Sequence, residues 1–352
     1  MKKFNIILLA VLLLPVALNA RKVYEAEKVV NHSFPASSNH TLIIENKYGP
    51  VNIQVWDKNE VSATITISGM SSRSQETADA LVNRVKINAN ASGNSISIRT
   101  EIASTNISGS GTQSNEINYE IKVPRNIAFN LTNKYGNIKV DECGNKATID
   151  VKYGNFHCTK MTDKNVSLTL GYGNANIQEV NGLTADIKYS NMTIGSAKTL
   201  NLTTKYSNLK LSNVGSLTTY SGYDDYKISE VATADIEAKY TSVKVDKVTE
   251  SLVVVNKYGG VSVGEVGAKA KSLKFELGYT DLKLNISPSI SYELDAYTKY
   301  GNISLPDGVS SNIKNRETQG NSTTVKATIG SSTPSLKVSA SNSYANIKLT
   351  AK

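Results

Sequence analysis

Eight lysines in this chain stand immediately before a tyrosine: Lys47, Lys134, Lys152, Lys188, Lys205, Lys239, Lys257 and Lys299. Six more, Lys139, Lys210, Lys227, Lys244, Lys283 and Lys348, come four residues after one. In an extended backbone both positions face away from the core, so stacking the segments would line the ammonium groups up as two basic files. Like charges at strand spacing repel unless something neutralises them. Asp150, Asp186, Glu237 and Glu276, two residues before the first lysine position, supply part of that neutralisation, giving a salt-bridged edge that resists aggregation. The sharper chemistry is a docking edge for a repeating polyanion, because evenly spaced weak contacts add through multivalency. Lys134, Lys152, Lys188, Lys205, Lys239, Lys257 and Lys299 are the candidate binding residues, for an acidic glycan, lipopolysaccharide or another envelope protein.

A second candidate is Asp224–Asp225 in SGYDDYKISE, where two carboxylates replace a small-Asn pair and Tyr220, Tyr223 and Tyr226 crowd around them. Such a pair would hold calcium or act as acid and base. Asp281 shows, however, that aspartate also simply substitutes for asparagine at this turn, so a solvated exposed pair is expected. His32, His40 and His157 have no metal-site spacing, and no GxSxG, HExxH, GxGxxG or P-loop pattern occurs. The chain is therefore expected to be non-enzymatic, with no cofactor.

The elements that position these residues follow from a repeat. Tyr48, Tyr135, Tyr153, Tyr172, Tyr189, Tyr206, Tyr223, Tyr240, Tyr258, Tyr279, Tyr300 and Tyr344 each precede two small residues and an apolar-polar-apolar triplet, as in KYGNIKV and KYSNLKL. From Tyr135 to Tyr300 the interval is 17 to 21 residues. Units this short cannot bury an apolar face alone, so they must stack. The third and fifth residues after every tyrosine are apolar or aromatic with a polar residue between, and runs such as Ala147, Ile149 and Val151 alternate before it. Period two means strands, two per repeat. The expected fold is all-β: a right-handed parallel β-helix of short coils, with Gly-Asn or Ser-Asn turns taking left-handed backbone angles. The same parity points the tyrosines inward as a stacked corner ladder, with Asn137, Asn155, Asn174, Asn191, Asn208 and Asn302 forming an amide ladder inside the turn.

Residues 1–20, with Lys2, Lys3 and an apolar run from Ile6 to Leu18, read as a secretory signal. No other stretch approaches the length of a membrane span. Without the leader's two lysines the 39 basic residues fall to 37 against 30 acidic, a mild excess that favours anionic partners. Export and the lack of a recognition motif exclude nucleic acid. The expected location is the periplasm, the outer-membrane surface or the extracellular space. Cys143 and Cys158 are too few for a disulfide scaffold and are expected as buried free thiols.

Four segments are expected: the signal at 1–20, an irregular N-terminal β region at 21–134, regular coils at 135–305, and a polar loop with closing strands at 306–352. ENKYGPVNIQVW is a full copy of the repeat, with Trp56 in the column of Cys143, Met161 and Val180. SQETADALVNRVKI reads as an amphipathic helix that covers the first coil, with Ala78, Leu81, Val82 and Val85 on one side. Residues 103–115 and 306–324 read as polar loops, and TVKATI, SLKVSA and NIKLT as the strands that close the far end.

INYEIKVPRNIAFNLTNKYGNIKV, the KYG[NP] repeats and the exported context resemble the bacterial adhesin β-helix proteins related to the adhesin-head GIN domain. The resemblance spans residues 38–351. It implies an adhesin-like or cell-envelope role and transfers no catalytic motif. Two rivals remain: a carbohydrate-active β-helix enzyme, whose site would be assembled from scattered Asp, Lys and Arg, and a periplasmic structural or envelope-stress protein with no ligand of its own.

Overall fold

The computed structural model describes residues 22–104, 111–330 and 333–351; the expected signal at 1–20 lies outside them. Within them the chain is a β-solenoid. Its regular body stacks in parallel and in register: Asn174–Lys188 pairs with Asn191–Lys205, then Asn208–Gly222, then Asp225–Lys239. Met192 lies beside Leu209, Leu209 beside Tyr226, and Tyr226 beside Val243. The apolar columns merge into one continuous core. In earlier coils the two strands flanking the second corner are separate, as in Phe156–Met161 and Val166–Gly171. Between Asn174 and Lys239 they fuse into 15-residue strands, and the second corner survives only as a slip in alternation, as where Gln178 and Glu179 both face out.

Helix Gln75–Asn83 starts at Ser74, whose hydroxyl accepts from Thr77 N, and buries Ala78, Leu81 and Val82. It packs on strands Tyr24–Pro35 and Glu60–Ser71. The strand after Tyr48 pairs with Gln113–Pro124 through Trp56 but with the Tyr135 rung only as far as Ile53. Beyond that it diverges, so Trp56 leaves the expected column and donates its ring N–H to Glu60 O.

The other end differs from expectation. Residues 306–324 are not a loop: Ser311–Gln319 and Ser322–Ile329 form an antiparallel hairpin that pairs onto Tyr292–Lys299. Its outer strand is exposed on both faces, which is why the segment reads as polar. TVKATI lies within that hairpin. SLKVSA and NIKLT do not close the end at all: Leu336–Ser343 sits between Ser272–Asn285 and Tyr292–Lys299, parallel to both. Strand Gln113–Pro124 likewise begins inside the segment expected as a loop at 103–115, of which 105–110 lie outside the described residues.

Candidate binding corner

Each coil turns at its tyrosine, and the turn is made in an unexpected way. All twelve tyrosines have φ between 51° and 64°, while the following residue carries no left-handed angle except at Gly49. A left-handed conformation costs an ordinary L-residue about 1–2 kcal/mol. The glycines serve closeness instead: a Cβ on Gly173 would lie 1.8 Å from the carbonyl oxygen of Gly154 in the rung below. Where that position carries a side chain, as at Ser190, Ser207, Asp224, Thr241 and Thr280, it is buried in the corner.

The left-handed residue resets the inward-outward alternation. The tyrosine rings therefore face solvent, contrary to the inward ladder expected from parity; eleven of them are at least 36% exposed. They stack on one another in an unbroken series from Tyr48 through Tyr279 to Tyr344 and Tyr300, with centroids 4.6–5.4 Å apart and planes within 20°. Each such pair returns about 0.5–1.5 kcal/mol, comparable with the strain, so the strip is close to neutral for stability. The rings present edges and hydroxyls outward because their faces cover one another. The amide ladder forms too, but outside: Asn155 Oδ1 accepts from Asn174 Nδ2 at 2.8 Å, and Asn191 Oδ1 from Asn208 Nδ2 at 3.0 Å.

All seven candidate lysines are exposed and lie in one file beside the rings. Lys47, Lys205, Lys257 and Lys299 hold their ammonium groups 4.7–5.5 Å from the centre of the following ring. Internal neutralisation is slighter than expected. Asp186 pairs with Lys188 at 2.9 Å, but Glu276 turns to Lys274 at 2.7 Å. Among the described residues the other candidate lysines take no ion pair, and in the second file Lys244 alone does, with Asp246.

The acidic pair does not come together. Asp224 is 6% exposed, and its carboxylate accepts from Ser207 N at 2.6 Å, Thr204 and Ser221 hydroxyls at 2.7 Å, and Gly222 N at 2.9 Å. Thr204 also bonds the buried Tyr226 hydroxyl, whose ionisation is pushed up by burial. Asp225 sits in register with Asn208 and Ser242 in the outer amide column. Alternation across two adjacent residues sends the side chains to opposite sides, which the expectation of a solvated pair missed. Cys143 and Cys158 are free and buried, their sulfurs 3.9 Å apart; the contact with Cys158 and burial raise the Cys143 thiol.

The sequence did not single out a groove of about 950 Å³ on the outer face before the tyrosine corner. Tyr220, Glu237, Val255 and Glu276 line it in a row, in register across four rungs, beside Lys239, Lys257 and Gly278. The missed signal was an interruption: the file lacks its lysine at Gly171, Gly222, Gly278 and Ser343, and the last two are adjacent rungs that line the groove. Among the described residues no helix is long and apolar enough to cross a membrane.

No family model matches the chain, and no curated protein does. Solved structures similar to it include one provisionally named a cell adhesion protein, from Clostridium sporogenes, at 14% identity and TM-score 0.20, covering 94% of this chain and 100% of that one. One provisionally named a lipid binding protein, from Parabacteroides distasonis, has 8% identity and TM-score 0.38 over 73% of this chain and 96% of its own. One provisionally named an adhesin, from Bacteroides fragilis, has 10% identity and TM-score 0.24 over 92% and 97%. With TM-scores this low the likenesses carry no functional argument.

Proposed function

We propose that this chain is an exported, non-enzymatic, adhesin-like solenoid that offers its tyrosine corner to an acidic glycan or another anionic envelope component. The resemblance of the repeat grammar to the adhesin-head GIN proteins supports the same reading. One observation carries it: a strained, solvent-facing aromatic strip, flanked by two files of mostly unpaired lysines, runs the length of the rod. A fold needing only a turn would use glycine or asparagine there, at no strain. Strain held at every rung for no net stability is retained for what it displays.

Lysines at rung spacing, about 4.8 Å, raise the local potential and favour a ligand whose charges repeat on a similar scale. Each contact is weak and the whole is multivalent. Charge reversal of Lys188, Lys205 and Lys239 together is expected to abolish retention on a polygalacturonate-coated surface, with the far-ultraviolet circular dichroism unchanged. Unchanged retention would remove the corner as the binding site. Protease shaving of intact cells separates a surface-displayed rod, which is cleaved, from a periplasmic one, which is protected.

A further inference from the structure

We infer that the groove beside the tyrosine corner is a discrete seat for a short segment of uronate-type glycan, running parallel to the solenoid axis between Tyr220 and Gly278. This rests on the anionic-glycan reading above and locates it. The ladder cannot stack sugar rings, because its rings cover each other's faces. Tyr220 can: it is 58% exposed, the most open large hydrophobic residue on the rod, and it has no ring neighbour or hydrogen bond among the described residues. A pyranose face laid on it would meet the negative face of a ring that is otherwise unused.

The rest of the groove matches a ligand that carries both hydroxyls and negative charge. Lys239 and Lys257 stand along one wall with no ion pair, placed for carboxylates. Glu237, without an ion pair or hydrogen bond among the described residues, and Glu276, paired with Lys274 at 2.7 Å, stand along the row that starts at Tyr220, placed to accept from hydroxyls. The unpaired Glu237 carboxylate would repel a chain that is anionic at every point and offers no donors, so a polyphosphate is disfavoured. Tyr220 and Glu276 lie three rungs apart, about 14 Å, and the volume falls in the usual range for small-ligand sites.

The lysine position is glycine at Gly171, Gly222 and Gly278, and of these only Gly278 lines the groove. It occupies a lysine position in the middle of a strand, where glycine is ordinarily unfavourable. Neither reason for a glycine applies there: its backbone is not left-handed, and a Cβ would rest 3.5 Å from Lys257 Cγ, in ordinary contact. The next rung has Ser343 at the same position, so the file is open across two rungs and the groove floor is clear. At Gly278 and Ser343 the space left by the absent lysines belongs to the groove.

The test uses calorimetric titration of the full chain with oligogalacturonate, its methyl ester and inorganic polyphosphate. Gly278→Lys is expected to fold normally and to weaken oligogalacturonate binding about tenfold although it adds a positive charge; Tyr220→Ala is expected to do the same and Tyr220→Phe to bind like wild type. The ester and polyphosphate are expected to bind at least tenfold more weakly than oligogalacturonate. If Gly278→Lys binds as well as wild type or better, while reversal of Lys188, Lys205 and Lys239 still abolishes retention, the groove is overturned and the basic-file reading stands. If wild type does not bind oligogalacturonate, both fall.

Discussion

Every coil turns twice, and the two corners solve the same stacking problem in opposite ways. At the second corner the outward column runs Glu142, Lys160, Glu179, Ser196, Asn213, Glu230 and Lys247, with signs mixed. Lys160 meets Glu179 at 3.7 Å, and Lys247 meets Glu230 at 3.9 Å and Glu265 at 3.4 Å. Such surface pairs add little stability, but they leave only a small net charge along the column. At the tyrosine corner lysine follows lysine, mostly without a counter-ion. Since the chain evidently can alternate charge between rungs, a same-sign file is no by-product of repetition. It is specific to the face that also bears the strained rings and the groove.

The largest expected effect concerns geometry. Gly173→Ala should cost about 3 kcal/mol or more in denaturant unfolding, because the new methyl meets backbone that cannot yield. Asp224→Ala should cost about 2–3 kcal/mol, since it strands four buried donors. Glu230→Ala at the second corner should stay within about 0.5 kcal/mol. A loss there equal to that of Asp224 would erase the contrast.

Alkali sharpens the same distinction between buried and displayed phenols. Burial pushes Tyr119 up to about 12 from the ordinary 10.0, against the Thr100 hydrogen bond, and raises Tyr226 and Tyr292 in the same direction. The unfolded phenol ionises first, so the stabilisation is complete below pH 10 and is lost as pH rises from 10 towards 12. Thermal melts across that window should fall steadily, and Tyr119→Phe should flatten part of the slope.

A small effect at the tyrosine corner is the most telling. Tyr206→Asn relieves left-handed strain while removing two stacking contacts, so stability should change by less than about 1 kcal/mol. Leu209→Ala, three residues on in the core, should cost about 2–5 kcal/mol. A comparable loss at Tyr206 would make the aromatic strip a structural support instead of a display.

Much of this was legible in advance. Apolar pairs such as Leu209 and Leu211 announced strands, and their fixed offset from each tyrosine announced the register. What could not be read was any property that depends on breaking the alternation. Parity carried through Tyr206 predicts an inward ring, and only the positive φ reverses it. The groove was equally silent, because an absent lysine at Gly278 looks like repeat decay until its neighbours are seen to leave room. The position of Leu336–Ser343 is set by pairing with distant strands, to which local pattern is blind.

That last placement constrains how the rod is made. Polypeptide arriving amino end first can add layers one after another from residue 128 up to residue 285, yet the layer at 292–304 finds no permanent seat on the one before it. Residues 336–350 must first slide between them and supply hydrogen bonds on both sides. Assembly therefore finishes as a wedge closes, late and all at once, and a product cut short before residue 336 would keep an open, adhesive seam.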